Sequence, residues 1–179
     1  DEEDPELYGY RADYYVAMED YTNALKDLDK AIDLDLENPR WYNNRADFYK
    51  TQENYDEALK DYATVIEIST DDYSTSRAIN NSANIYWKEE KWELCIEEYT
   101  KAIAVSPLAV QYSNRGRVYQ IIKDYDNAII DITKAIELGK EDPEFYAYRA
   151  KCYIEMEKYT VALKDLDKTI ELAPEDLSY

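Results

Sequence analysis

The chain has 179 residues and a formal net charge of −19, from 40 acidic and 21 basic residues and no histidine. This charge repels nucleic acid and anionic lipid, so we expect neither as a partner. Without histidine the chain cannot form a Ser-His-Asp triad, a Cys-His pair or a histidine metal ligand. We therefore expect a protein that is not an enzyme, holds no metal and has no cofactor.

Sorting signals and cysteines suggest a compartment. No apolar run is long enough to span a membrane, and no signal peptide opens the chain, so we expect a cytoplasmic protein without membrane insertion. Cys95 and Cys152 fall on the apolar faces of predicted helices, which favours free buried thiols in a reducing compartment. Because the chain does not begin with Met, we expect a processed or trimmed segment.

One pattern recurs along the chain. It begins with Tyr8-x-x-Arg11-Ala12-x-x-Tyr15, followed by an aromatic and a small residue, Tyr21-x-x-Ala24. Further copies start at Tyr42, Ile79, Tyr112 and Tyr146. The small residue of the second half steps by 34, 37, 33 and 34 positions through Ala24, Ala58, Cys95, Ala128 and Ala162. A period of this length indicates an array of helical repeats.

The spacing within each copy predicts a pair of helices. Apolar residues at i, i+4 and i+7 share one helical face, and two such faces bury each other only where small residues let the axes approach. The small residues of the first helices are Ala12, Ala46, Ala83, Gly116 and Ala150. In chain order, the predicted pairs are about 5–18 with 21–35, 39–52 with 55–69, 74–89 with 92–105, 109–122 with 125–138, and 143–156 with 159–173.

These residues resemble the tetratricopeptide repeat (TPR), and the resemblance covers the chain from about Pro5 to Asp176. It implies an all-α solenoid of helical hairpins, a right-handed superhelix of about ten antiparallel helices. We expect a single array over residues 1–179, with repeats at about 5–38, 39–75, 76–108, 109–142 and 143–176. The glycine that the family places in the turn of each hairpin is missing, and the residues there are Glu19, Glu53, Glu90, Lys123 and Glu157.

Charged pairs follow the same period. Four first helices carry an arginine and the following helix carries an aspartate; the pairs are Arg11 with Asp27, Arg45 with Asp61, Arg115 with Asp131, and Arg149 with Asp165. Since these pairs recur with the scaffold, we expect ion pairs between helices rather than catalytic groups. The third repeat has Ser82 and Glu98 instead, and three additional residues that lengthen its first helix or the loop before it.

The resemblance also implies a concave groove, lined by the first helices, that binds a peptide of a partner protein. Carried over by register, the candidate groove residues are Arg40, Asn43, Asn44, Arg77, Asn80, Asn81, Asn84, Trp87, Asn114, Arg117, Gln120 and Lys151. From the second to the fourth repeat, the groove positions hold five bases and one acid; these are Arg40, Lys50, Arg77, Lys88 and Arg117, against Asp47. We therefore expect a ligand with acidic side chains or a free C-terminal carboxylate.

Two features of the groove leave alternatives open. Asparagine side chains can bind peptide backbone groups, but asparagine is also common at these positions for structural reasons. Trp87 either anchors a ligand or packs beside Trp92. The chain does not match the two-carboxylate clamp of some TPR co-chaperones, because Glu144 and Tyr148 occupy the positions of its final bases.

The sequence thus predicts a non-catalytic scaffold or adaptor that binds a peptide segment of another protein. Two alternatives remain. The chain could be an assembly module that forms a homo-oligomer through its C-terminal helix, which carries apolar residues on one face. It could also be the regulatory or targeting segment of a larger enzyme or co-chaperone.

Overall fold

The computed structural model describes residues 3–139 and 141–173. This part of the chain forms ten α-helices and no strand, which confirms the all-α fold class. The helices are α1 (Pro5–Ala17), α2 (Tyr21–Leu34), α3 (Pro39–Thr51), α4 (Tyr55–Ile68), α5 (Asp72–Lys88), α6 (Trp92–Val105), α7 (Ala109–Ile121), α8 (Tyr125–Leu138), α9 (Pro143–Glu155) and α10 (Tyr159–Leu172). The additional residues of the third repeat lengthen α5, which has 17 residues against 13 in the other first helices.

Three of the first helices begin in the same way. Proline occupies the first turn of α1, α3 and α9, where its missing N–H costs no helical hydrogen bond. The residue before each proline caps the helix, since a side-chain oxygen of Asp4, Asn38 or Asp142 accepts a hydrogen bond from a backbone N–H of the first turn. The capping residue and the proline together therefore define where each of these three helices begins.

The turn inside each hairpin requires a left-handed backbone. Glu19, Glu53, Glu90, Lys123 and Glu157 have φ values of 60°, 58°, 56°, 63° and 59°. These are the five positions where the family's glycine is missing, and among the described residues no other non-glycine residue has a positive φ. The turn geometry is therefore kept without the residue that adopts it most easily.

The small residues lie where the sequence pattern placed them. Ala24, Ala46, Ala58, Ala83 and Ala128 are fully buried between helices. At Gly116 even a methyl group would be too large, because an added Cβ would lie 2.8 Å from Cγ1 of the buried Ile132. The close approach of α7 and α8 thus depends on a glycine at this position.

The predicted Arg–Asp pairs are present in all four repeats. In each, the guanidinium binds both oxygens of the aspartate 16 residues later, with N–O distances of 2.6–2.8 Å. The remaining nitrogen of Arg45 also binds the preceding repeat, where Asp29 accepts at 2.7 Å. In the same way, Arg149 donates to Thr133 at 3.0 Å. The arginines therefore join the helices of one hairpin and also connect neighbouring hairpins.

The chain forms two compact units, Asp1–Ile85 and Tyr86–Tyr179. In the first unit, Tyr62 and Val65 are fully buried together with Ala46 and Ala58. In the second, Ile132 and Phe145 are the large residues of the core. The single continuous array and its superhelical shape stay predictions.

Both cysteines are buried thiols that form no disulfide within the described part of the chain, as predicted. Burial raises the pKa of the Cys95 thiol to about 12 and that of Cys152 to about 11, so neither thiol ionises near neutral pH. No helix in the described part of the chain is long and apolar enough to cross a membrane.

The left-handed turns predict that glycine stabilises the protein. We expect Glu53→Gly to raise the free energy of unfolding by about 0.5–1 kcal/mol, because relief of backbone strain exceeds the entropy cost of glycine. Urea denaturation measures the change. Ala63→Gly, at an exposed position inside α4, is the control and should lower stability by about 1 kcal/mol. A loss of stability in both variants would contradict the strain argument.

The Arg–Asp pairs predict a second effect on stability. Asp61 is buried, so Arg45→Met leaves an unpaired buried carboxylate and should cost about 3 kcal/mol or more in thermal or urea unfolding. The double variant Arg45→Met with Asp61→Leu removes that charge and should recover most of the loss. If the double variant is no more stable than the single one, the arginine acts through packing instead.

Candidate functional site

A cleft of about 570 Å³ lies in the second unit. It is formed mainly by α7 and α9, the first helices of the fourth and fifth repeats, with contributions from the end of α5 and from α10. Its lining residues are Trp87, Arg117, Gln120, Ile121, Ala147, Tyr148, Lys151, Ile154 and Leu166. This set contains two cations and no carboxylate, in a chain with 40 acidic residues. The cleft is therefore a local reversal of the charge of the chain.

Arg117 has an unusual environment in this cleft. Its guanidinium carbon lies 5.1 Å from the centre of the Trp87 ring and 4.9 Å from that of Tyr148. Both distances are within the range of cation–π attraction. Trp87 also packs edge-on against Trp92, with ring centroids 5.7 Å apart, as one of the two alternatives from the sequence predicts. Its role as an anchor for a ligand stays a prediction. The aromatic rings position Arg117, yet no carboxylate in residues 3–139 and 141–173 forms an ion pair with it.

Two other lining residues add polar groups. Lys151 is exposed and pairs with no acid of the described chain. Gln120 has a side-chain nitrogen that finds no hydrogen-bond acceptor among the described residues. At the edge of the cleft, the hydroxyl of Tyr148 donates to Glu144 at 3.1 Å, so this acid is already engaged.

The corresponding region of the first unit has the opposite character. A cleft of about 260 Å³ is lined by Ala12, Asp13, Val16, Leu28, Asn44, Asp47, Phe48 and Thr51. Its lining holds two acids and no base, and the nearby bases Lys50 and Arg77 both pair with one of these acids, Asp47, so their charges are not directed at a ligand. The candidate residue Asn44 lies here.

Asp47 pairs with two of the predicted groove bases of this unit, Lys50 and Arg77, so their charges are not available to a ligand. Its carboxylate accepts hydrogen bonds from Tyr62 at 2.5 Å, Arg77 at 2.9 Å, Lys50 at 3.0 Å and Asn81 at 3.1 Å. Burial by itself would raise the pKa of Asp47, but the hydrogen bonds from Tyr62 and Lys50 outweigh it and the pKa lies below its usual value. Of the five predicted groove bases, this one acid engages two.

Arg40 is also paired. Its guanidinium donates to both oxygens of Glu6 at 2.6 Å and lies 4.8 Å from the centre of the Trp41 ring. The sequence predicts that the charge of Arg40 faces a ligand, but Arg40 pairs with Glu6 from the first helix of the preceding repeat. The groove base Arg40 is thus neutralised by Glu6, an acid that the predicted set of groove residues does not contain.

The predicted row of asparagines makes structural contacts. Asn43 is buried, Asn81 donates to Asp47, and the side chain of Asn114 hydrogen-bonds to Tyr99. Asn80 is partly buried, and Asn84 has an interaction partner within the protein. The structure brings together Trp87, Arg117, Gln120 and Lys151 from the predicted set, while the asparagines lie outside this cleft.

Sequence reasoning missed several cleft residues. Tyr148, Ile121, Ile154 and Leu166 line the cleft but were not predicted. One available signal was helical spacing, because Tyr148, Lys151 and Ile154 follow one another at intervals of three and share a face of α9. Leu166 could not have been found in this way, since it comes from a second helix.

A hollow of larger volume, about 840 Å³, lies between the C-terminal end of α8 and the N-terminal end of α9. Its lining includes Glu137, Glu141 and Asp142 beside apolar residues such as Phe145. Carboxylates repel the acidic ligand that the bases of the first cleft favour. We therefore take the cleft around Arg117 as the candidate site.

Comparisons with solved structures agree with this fold. The crystal structure of MamA is 18% identical and superposes with a TM-score of 0.79 over 98% of this chain and 94% of its own. A MamA structure from Desulfovibrio magneticus RS-1 is 16% identical, with a TM-score of 0.79 and 97% of each chain covered. YrrB, described as a TPR protein with an unusual peptide-binding site, is 19% identical, with a TM-score of 0.73 over 95% of this chain and 87% of its own.

Comparisons of sequence identify the family. No curated protein sequence is significantly similar to the chain. Two models described as tetratricopeptide repeat do match it, one over residues 11–73 and the other over residues 76–107 and 112–141. The matched segments together cover more than half of the chain and include the recurring positions of the first four copies except Tyr8. The chain belongs to the tetratricopeptide repeat family.

Proposed function

We propose that the chain is a non-catalytic scaffold that binds an acidic, partly apolar segment of a partner protein in the cleft around Arg117. Membership of the TPR family supports a role in protein–protein interaction in general. The observation that carries the finer proposal is the composition of the cleft, which has two cations and no carboxylate in a chain of net charge −19. An acidic ligand is repelled by most of the surface and attracted here.

Arg117 is the central group of the proposed site. Most other groove bases already bind an acid of the protein, as Arg40 binds Glu6 and Arg77 binds Asp47. Arg117 keeps its charge available, and the rings of Trp87 and Tyr148 limit its motion. A side chain that is already positioned loses less entropy when it binds a ligand carboxylate.

The apolar part of the cleft supports a ligand with hydrophobic side chains. Ile121, Ile154 and Leu166 line it together with the ring of Trp87. Apolar groups of a ligand gain free energy when this surface is removed from water, and aromatic residues in such pockets often dominate binding. We therefore propose a peptide in which acidic and large apolar residues lie side by side.

The carboxylate of the ligand could come from an Asp or Glu side chain or from a free C-terminus. Lys151 adds a second positive charge, and the side-chain nitrogen of Gln120, which has no acceptor among the described residues, is a donor for a ligand oxygen. These groups recognise the same chemistry from either source. YrrB, described as a TPR protein with an unusual peptide-binding site, gives a structural precedent within the fold.

The first prediction for this site concerns Arg117. We expect Arg117→Ala to weaken binding of a fluorescein-labelled peptide that alternates Glu with Leu and Phe by about tenfold or more, measured by fluorescence anisotropy. Arg77→Ala is the matched control, since Arg77 is paired with Asp47 in the other unit, and it should bind as the unaltered protein does. Equal loss in both variants, or loss in neither, would contradict the assignment of the site.

The second prediction concerns charge. The dissociation constant for the acidic peptide should rise as NaCl is increased from ~50 to ~500 mM, because partly exposed charge pairs are screened. A peptide with Lys in place of each Glu should not bind measurably. The combined variant Arg117→Ala with Lys151→Ala should lose most of the salt dependence. Binding of both peptides with the same affinity would show an apolar site without charge selection.

A further inference from the structure

The helix α10 is nearly a copy of α2. Over their 14 residues, the two helices differ only where α2 has Asn23, Ala31 and Asp33 and α10 has Val161, Thr169 and Glu171. The residues that α2 presents to the next hairpin therefore recur in α10. The recurring residues are Tyr21, Leu25, Leu28, Asp29 and Ile32 in α2 and Tyr159, Leu163, Leu166, Asp167 and Ile170 in α10.

In α2 this face is covered by α3. Phe48 of α3 packs on Leu28 and lies 6.2 Å, between ring centroids, from Tyr21. Trp41 packs on Ile32. The two α3 side chains at this contact are buried, since Trp41 is 1% exposed and Phe48 is 8% exposed. The face of α2 is thus one half of an interface between repeats, and its occupant is known.

In α10 the same face lies open. Leu163 is 60% exposed, and Ile170 is 52% exposed where the equivalent Ile32 of α2 is 5% exposed. Tyr159 is 58% exposed, against 40% for Tyr21. Asp167 forms no ion pair with any residue in the part of the chain that the structure describes. α10 therefore keeps the apolar and charged groups of a surface that binds a first helix.

α1 has the features of a first helix that fits this face of α10. Its Leu7, Arg11 and Tyr14 occupy the positions of Trp41, Arg45 and Phe48 in α3, 34 residues later. Leu7 is 65% exposed and Tyr14 is 72% exposed. The equivalent residues of α9 and α7 are buried, among them Phe145, Cys152 and Val118. Of the four first helices that carry the arginine, α1 is the one whose face is open.

A charge pair supports the same match independently of the apolar residues. Where α3 covers α2, Nη1 of Arg45 binds Asp29 at 2.7 Å. In α1, Arg11 binds Asp27 through Nε and Nη2, and no acceptor among the described residues binds its Nη1. In α10, Asp167 stands at the register of Asp29. Each open face therefore holds one half of the ion pair that the α2–α3 interface contains.

We propose that a second copy of this chain covers α10: α10 of one copy packs against α1 of the next, in the manner of α2 with α3. Tyr14 packs against Tyr159, Leu7 packs against Ile170, and Arg11 binds Asp167. Two different faces meet, so each added copy leaves one face of each kind open. Such a contact is heterologous and produces chains of copies whose length grows with concentration.

Analytical ultracentrifugation of the 179-residue protein at concentrations up to ~500 µM tests the contact, because this range covers weak interfaces. We expect the mean mass to rise with concentration. Leu163→Glu in α10 and Tyr14→Glu in α1 should each remain monomeric, because each places a carboxylate in the apolar contact. Asp167→Lys should raise the dissociation constant about tenfold or more, since Lys would face Arg11. Ile130→Glu, at an exposed position of α8 that belongs to neither face, should associate as the unaltered protein does.

Mixing the two blocked variants distinguishes this contact from others. A copy with Leu163→Glu keeps an intact α1, and a copy with Tyr14→Glu keeps an intact α10, so the mixture should form dimers and nothing larger. Circular dichroism confirms that the variants are folded. If the unaltered protein is monomeric at every concentration, the proposal is overturned. This outcome includes the case in which another segment of the chain covers α10. Normal association of the Tyr14→Glu variant would overturn it too, because that result indicates a symmetric contact between two α10 helices.

Discussion

The close approach of the two helices in each hairpin is the constraint on which the rest of the structure depends. The tyrosine-rich faces bury each other only because the crossing points carry Ala, Cys or Gly, and at Gly116 a single methyl group would collide with Ile132. Once the axes are this close, an arginine on the first helix reaches the aspartate on the second with both nitrogens of its fork. The ion pairs are thus a consequence of helix packing. In the third repeat Ser82 stands at the position of the arginine, and its hydroxyl donates to the carbonyl of Ala78 in the same helix.

The same scaffold decides where positive charge remains available. Bases on first helices lie near acids of the preceding repeat, and the fold neutralises those that meet one, as Glu6 does for Arg40. Arg117 escapes because its neighbours are the rings of Trp87 and Tyr148 rather than a carboxylate. A functional surface can therefore arise from the absence of one acid at one register position, while the repeat pattern around it is unchanged. The proposed peptide site depends on this difference between the two units.

A repeat protein differs from a globular domain in what its outer helices present. Inside the array, each second helix is covered by the next first helix, so its outward face is apolar for structural reasons. α10 has the composition of an internal helix, with Leu163 and Ile170 open to solvent, and α1 shows the matching pattern with Leu7 and Tyr14. Repetition of sequence therefore duplicates binding surfaces as well as cores, and self-association through such surfaces needs no new recognition chemistry. The geometry of the α2–α3 contact is what makes the proposed contact between copies specific.

The sequence by itself determined the helices, their pairing, the positions of the small residues and the Arg–Asp pairs, because each of these follows from local spacing and repeats with the period of the chain. It also located the five turn residues that adopt a left-handed backbone, since they occupy the place of the family's glycine. Only the tertiary structure decided which bases are free. Asp47 meets Arg77 and Asn81 from the next repeat, and Glu6 meets Arg40, over separations of 30 and more residues. Register along one helix gives no information on such partners, because an ion pair depends on which side chains two helices bring within about 4 Å of each other.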